Sequence, residues 1–227
     1  MGLTTYELSD GIATIRIDDG KVNALSETML AEISARFDEA ERDEAVVILT
    51  GRERIFSAGF DLRTEGEGWP PMLVAGARLA ERMLSFPRPV VAACNGSAIA
   101  MGSFLLLSAD HRIGADADLK LGLNEVAIGL TLPWFAIELA RHRLPRPWFD
   151  RCTVTGVMIG PEEGVAAGFL DELVPPEELE ERALGAARVL AGINHDAHLA
   201  TKLRVRSEVL DGVRDGIARI EGDGRDW

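Results

Sequence analysis

The chain has 227 residues, enough for one or two domains and for a full-sized core without disulfide or metal staples. Apolar types at 47% and charged types at 27% make an ordinary globular composition, neither disordered nor membrane-embedded. With 37 acidic and 24 basic residues the formal charge is −13, which argues against a general nucleic-acid or anionic-membrane binder, since both need a basic footprint.

In chain order, Ile12–Ile17 alternates apolar and polar residues, as a half-buried strand does. Ser26 suits a helix N-cap with Leu25 and Leu30 as a hydrophobic staple, and Met29, Leu30, Ile33 and Phe37 follow at helical spacing. Residues 46–49 read as a short buried strand ending at Gly51. The stretch 64–71, Thr-Glu-Gly-Glu-Gly-Trp-Pro-Pro, reads as a mobile loop. Leu73, Gly76, Ala77, Ala80, Met83 and Leu84 recur with helical period until Pro87. Val90–Cys94 is a second buried strand, and residues 104–107, apolar all round, are a buried helix. Short strands are expected at 111–113 and 119–121, and helices at 131–141 and around Cys152. Pro161 stands in the first turn of a helix ending at Gly168. Helices at 177–190 and 197–210 complete the chain.

Strands alternating with helices indicate an α/β fold, without internal sequence repeat or low-complexity tract. Pro175-Pro176 divides a body at 1–175 from a helical C-terminal segment at 176–227. No basic stretch followed by an apolar run opens the chain, and no apolar run is long enough to span a bilayer. Cys94 and Cys152 lie outside any CxxC pair and in apolar surroundings. A reducing, cytoplasmic setting is expected.

Three stretches carry candidate chemistry. Ile55-Phe-Ser-Ala-Gly-Phe-Asp-Leu62 follows a strand, and its glycine permits close approach of a ligand to main-chain N–H groups; alone, it reads rather as a tight turn closing a strand. Asn95-Gly-Ser-Ala-Ile-Ala-Met-Gly-Ser103 joins a strand to a helix whose first N–H groups are unpaired and would stabilise an oxyanion; alone, it reads rather as a turn with small packing residues. In Gly122-Leu-Asn-Glu-Val-Ala-Ile-Gly-Leu130, Glu125 has apolar neighbours that would raise its pKa to suit a general acid/base; alone, it is equally a surface or capping glutamate. Together they fit the chemistry of a thioester enolate. His111 reads as a structural hydrogen-bonding histidine, and His142, His195 and His198 as solvated groups without metal-ligand spacing. Lys202 and Arg206 share a helix face near Arg204, a solvated face by default and a phosphate contact as a second reading. Arg52, Arg54 and Arg63 are alternative phosphate contacts.

The sequence resembles the crotonase (enoyl-CoA hydratase/isomerase) superfamily from about residue 4 to 210. The resemblance rests on Lys21-Val-Asn-Ala-Leu25, Phe56-Ser-Ala-Gly-Phe-Asp-Leu62, Pro89-Val-Val-Ala-Ala-Cys-Asn-Gly96, Ala109-Asp110, Gly122-Leu-Asn-Glu125 and Gly164-Val-Ala-Ala-Gly-Phe-Leu-Asp-Glu-Leu-Val174, in that order. It implies stacked ββα turns with a helical C-terminal tail, assembly as a homotrimer or a dimer of trimers, and an acyl-CoA thioester as substrate. It implies no metal, and no cofactor beyond the coenzyme A of the substrate. By the resemblance, the N–H groups of Phe60 and Met101 form the oxyanion hole and Glu125 is catalytic. Asn23, Ala24, Ala58, Gly59, Phe60, Asp61, Leu62 and Gly102 line CoA and substrate, with Asp61 bracing its loop. Phe104, Trp134 and Phe135 are acyl-pocket candidates, and Met101, where most relatives have glycine, adds a side chain that would narrow that pocket.

Two departures bear on the reaction. Hydratases of the family hold the added water with two glutamates; the second aligns with Glu125 and the first with Phe104. One glutamate suffices to move a proton from C2 to C4, so the expected reaction is Δ3-to-Δ2 enoyl-CoA isomerisation, with hydration in fatty-acid β-oxidation and non-catalytic acyl-CoA binding as alternatives. Gly-Leu-Asn-Glu followed by Gly129-Leu-Thr-Leu-Pro-Trp-Phe135 also resembles the isomerase branch. Many relatives carry further C-terminal helices that cover the active site or a neighbour's, and the sequence leaves pocket closure and subunit exchange open.

Overall fold

The computed structural model describes residues 2–64 and 66–223. Residue 65 of the stretch read as a loop, and residues 224–227 of the C-terminal segment, lie outside them. An antiparallel hairpin, Thr4–Ser9 (β1) and Ile12–Ile17 (β2), opens the chain. From β2 onward each turn of chain lays one strand in a large sheet, one or two short strands in the smaller sheets, and then a helix. The first turn is β2, Ala24–Leu25 (β3) and Glu27–Arg42 (α1), with Ser26 capping the Met29 N–H at 3.2 Å. The second is Val46–Thr50 (β4), Arg54–Ser57 (β5), Gly59–Phe60 (β6) and Trp69–Ser85 (α2). The third is Val90–Cys94 (β7), Gly96–Ile99 (β8) and Met101–Ser108 (α3). His111–Ala115 (β9) and Leu121–Gly122 (β10) begin a fourth. The ββα stacking implied by the resemblance is therefore present, although no sequence repeat marks it.

Helices Trp134–Arg143 (α4), Arg146–Thr155 (α5) and Pro161–Ala166 (α6) precede a last strand, Glu172–Val174 (β11). Leu179–Ala191 (α7), His195–Val205 (α8) and Ser207–Asp223 (α9) follow. The large sheet has the order β1-β2-β4-β7-β9-β11 and is parallel after its first pair. Its central strands are buried on both faces, which explains their unbroken apolar runs. Val47, Leu49, Ala92 and Cys94 face the main core, while Val46, Ile48, Val91 and Ala93 meet Leu179, Ala183, Ala186 and Ala187 of α7.

Four sequence expectations change. The stretch 64–71 is not a loop throughout: a 3-10 turn at Gly66–Gly68 leads into α2, which starts at Trp69 with prolines in its first turn. Proline is at home there because its missing N–H would have no partner in any case. The helix expected over 197–210 is two helices broken at Arg206. Arg206 and Lys202 are not solvated or free for phosphate but 6% and 5% exposed. Lys202 Nζ donates to the Phe86 carbonyl (3.1 Å) and to Asp110 Oδ2 (2.8 Å). Arg206 donates to the Leu84 carbonyl (3.0 Å) and pairs with Asp110 Oδ1 at 2.9 Å. These cations meet the carbonyl end of α2, where a helix favours positive charge. His142, His195 and His198 are half-buried rather than solvated. His111 pairs with Glu172 at 3.0 Å.

Asp110 is the carboxylate shared by both buried cations, so its loss strands them. Asp110→Ala is expected to lower the unfolding free energy by about 3–5 kcal/mol, read from urea denaturation, whereas Arg78→Ala, at an exposed pair with Glu221, costs under about 1 kcal/mol.

Candidate active site

Two chain crossings meet at one end of the small sheets. At the first, Gly59 has φ +89°, a left-handed conformation open to glycine. A Cβ there would lie 2.8 Å from the Ile99 carbonyl oxygen and 3.3 Å from the Met101 nitrogen. The Asp61 N–H donates to the Leu25 carbonyl at 3.3 Å. Because successive peptide groups of a strand alternate in direction, the Phe60 N–H points away from that ladder. At the second crossing, Ala100 has φ 51° and ψ −122°, a strained conformation for a residue with a side chain. It ends β8 and starts α3, so the Met101 N–H is a first-turn helix donor. The amides of Phe60 and Met101 thus come from abutting segments more than forty residues apart in sequence.

Buried polar groups fix this seam. Asn23, fully buried, donates from Nδ2 to the carbonyls of Ile17 (3.0 Å) and Phe56 (3.1 Å) and accepts from the Asp19 N–H (3.0 Å). Ser57 Oγ donates to the Asn23 carbonyl (2.8 Å) and accepts from the Gly59 N–H (3.1 Å). Gly102 packs flat on Ser57, where a Cβ would be 2.5 Å from the Ser57 carbonyl oxygen. Ser103 Oγ donates to the Ala98 carbonyl (2.6 Å) and accepts from the Gly122 N–H (3.3 Å). It thereby ties α3 to the strand that delivers Glu125.

A cavity of about 200 Å³ opens beside the seam. Ala58, Phe60, Leu62, Ala100, Phe104, Asn124, Glu125, Leu130 and Phe135 are among its lining residues. Phe104 and Phe135 pack edge to face, ring centres 6.3 Å apart. Glu125 is 8% exposed, and its Oε2 has no hydrogen-bond partner among the described residues. Burial pushes its pKa up from 4.5 to about 7. It is the only ionisable side chain among the described residues of the cavity wall.

The structure thus gathers Glu125, Phe60, Ala58, Leu62, Phe104 and Phe135 around one cavity. It places the other expected residues outside that wall. Asn23 and Gly102 brace the seam and present no side chain to a ligand. The Met101 side chain does not narrow the cavity; it is fully buried and its Cε reaches toward α2. Trp134 is outside the wall, 43% exposed, with the Arg219 guanidinium 4.8 Å from its ring centre. Ala24, Gly59 and Asp61 also lie outside it. Asp61 accepts from the Arg63 N–H (3.0 Å) and guanidinium (2.7 Å), which holds its carboxyl below the usual range. Arg52 is engaged by Asp18 at 3.2 Å. Trp69, Leu73, Asn124, Thr131 and Ala136 also line the cavity, beyond the residues expected from the sequence. For Trp69 the available signal was the proline pair that opens α2.

A family profile described as enoyl-CoA hydratase/isomerase matches residues 7–215. The chain is 44% identical to an enoyl-CoA hydratase of known structure from Mycobacterium marinum, with a TM-score of 0.95 over 98% of this chain and 99% of that one. It is also 44% identical to a Mycobacterium tuberculosis protein of known structure, described in one structure as an enoyl-CoA isomerase and in another as a probable enoyl-CoA hydratase, with a TM-score of 0.94 in both, in the first over 97% of this chain and 98% of that one. Human mitochondrial enoyl-CoA delta isomerase 1 is 30% identical over 205 residues, 86% of this chain and 68% of that protein. Among the described residues, no helix is long and apolar enough to cross a membrane.

A carboxyl group with a pKa raised on folding stabilises the fold only while protonated. Its contribution is complete below about pH 4.5 and is lost as pH rises through about 7. Glu125→Gln is therefore expected to be more stable than the natural protein at pH 8, by up to about 3 kcal/mol. The gain should vanish at pH values below 4.5, and paired urea titrations at the two pH values check it.

Proposed function

The chain belongs to the enoyl-CoA hydratase/isomerase family, and from that premise we propose that it shifts a double bond, converting Δ3-enoyl-CoA to Δ2-enoyl-CoA. The thioester oxygen accepts hydrogen bonds from the Phe60 and Met101 amides. Glu125, ionised, takes a proton from C2. The electron pair spreads over C2 to C4 and the carbonyl, and the two amides stabilise the negative oxygen. Glu125 then returns the proton to C4, and the double bond comes to rest conjugated with the carbonyl. No proton is gained or lost overall, and no metal or further cofactor is called on.

Glu125, the one ionisable side chain among the described residues of the cavity wall, carries this reading. A group that must be base in one step and acid in the next works best with a pKa near ambient pH, and burial brings Glu125 to about 7. Adding water would need a second group to hold it, and the family's other glutamate position is occupied by Phe104. One observation favours hydration as a second reading: Asn124 and Thr131 offer polar groups in the same wall.

Assays with 3-enoyl-CoA and 2-enoyl-CoA separate the readings. The natural protein is expected to isomerise the first and to add little water to the second, and Glu125→Gln to lose roughly 10²–10⁴-fold in kcat. Because the base acts ionised, kcat/KM should rise with pH and reach half its plateau near pH 7. Rapid hydration of 2-enoyl-CoA, or isomerisation untouched by Glu125→Gln, overturns the proposal.

A further inference from the structure

Gly76 lies in the middle of α2, buried, where glycine is the poorest helix former after proline. Its place is explained by what fills the space beside it. A Cβ on Gly76 would lie 2.6 Å from both Cε1 and Cζ of the Phe60 ring and 3.4 Å from Cε of Met101. The two residues whose amides face the thioester in the reading above therefore rest their side chains in one notch.

We propose that Gly76 is a positioning residue for the reaction: the notch it leaves in α2 stows the Phe60 ring and the Met101 thioether so that both main-chain N–H groups are held toward the cavity. The inference rests on the reading that these amides receive the thioester oxygen. An added methyl group at 2.6 Å must displace the Phe60 ring. That ring also forms part of the cavity wall, so its displacement moves either the wall or the backbone of residue 60. The backbone has little room, because Gly59 already stands against Ile99, Ala100 and Met101. Electrostatic stabilisation depends on donors held in place beforehand, so a small shift of one amide costs rate.

The test is a double-mutant cycle of Gly76→Ala with Phe60→Leu, a change that keeps the amide of residue 60 and removes the ring atoms in the notch. Two readouts are taken: kcat with 3-enoyl-CoA, and the red shift in absorption when 2,4-hexadienoyl-CoA binds, which reports carbonyl polarisation without turnover. Gly76→Ala alone is expected to lower kcat about tenfold or more and to shrink the red shift, with KM and the thermal midpoint little changed. In the Phe60→Leu background the same change should cost less than about twofold. Equal loss in both backgrounds, a full red shift beside lost turnover, or no loss in either overturns the proposal. A natural protein that gives a red shift but no isomerisation refutes the assigned reaction instead, and the effect of Gly76→Ala on that shift still decides the role of the notch.

Discussion

In the proposed reaction two peptide groups from distant parts of the chain reach one oxygen atom, and the close packing of the two segments that carry them organises the structure around the cavity. The crossings at 59–60 and 100–101 touch so closely that glycine is required at 59. Close approach of main chain leaves polar groups out of water, and each must find a partner inside. Asn23, Ser57 and Ser103 supply those partners, which is why uncharged hydrogen-bonding side chains are fully buried in an otherwise apolar core. Ala100 shows the same demand as conformational strain: it sits where glycine would be at ease, and its neighbours hold it there.

The cavity holds its carboxyl group at a cost in stability. A carboxyl group kept out of water with one oxygen unpartnered favours its protonated form, and the resulting pKa near 7 suits the proton transfer proposed above. Asp110 shows the opposite use of a buried carboxylate. Two cations and the Val90 N–H donate to it, and it ties helices together. Burial alone does not decide what an acid does; the donors around it do. Around Glu125 the wall is mostly apolar, with Phe60, Phe104, Leu130 and Phe135, and among the described residues its Oε2 meets no donor.

The strands and most helices were legible in the sequence because their apolar residues recur with the period of the element. The site was legible as a set of short motifs, and Glu125, Phe60 and Phe104 stand together as those motifs imply. What the motifs do not encode is direction. Asn23 and Gly102 belong to them yet face into the seam, since a motif records that a residue type is required and not whether a ligand or the chain itself requires it. Lys202 and Arg206 looked like a solvated basic face because helical spacing identifies a shared side and not what covers it. Their partners are carbonyls and a carboxylate about 90 to 120 residues away in sequence.

The same reasoning joins the C-terminal helices to the cavity. Across from the seam the wall is formed by α4, through Pro133, Phe135 and Ala136. Helix α9 packs along α4 on the far side from the cavity, and it does so at close range. A Cβ on Gly216 would lie 2.6 Å from the Phe135 nitrogen, and one on Gly212 would lie 2.7 Å from Glu138 Cγ. Four residues apart, these glycines let one helix backbone settle against the other. Arg206, at the break before α9, is meanwhile pinned to Asp110 and the end of α2. The wall helices α2 and α4 are therefore held from behind by the same segment of chain. The segment after Pro175-Pro176, set apart in the sequence by its helical composition, is in packing terms the backing of the cavity, and the position of Phe135 depends on it.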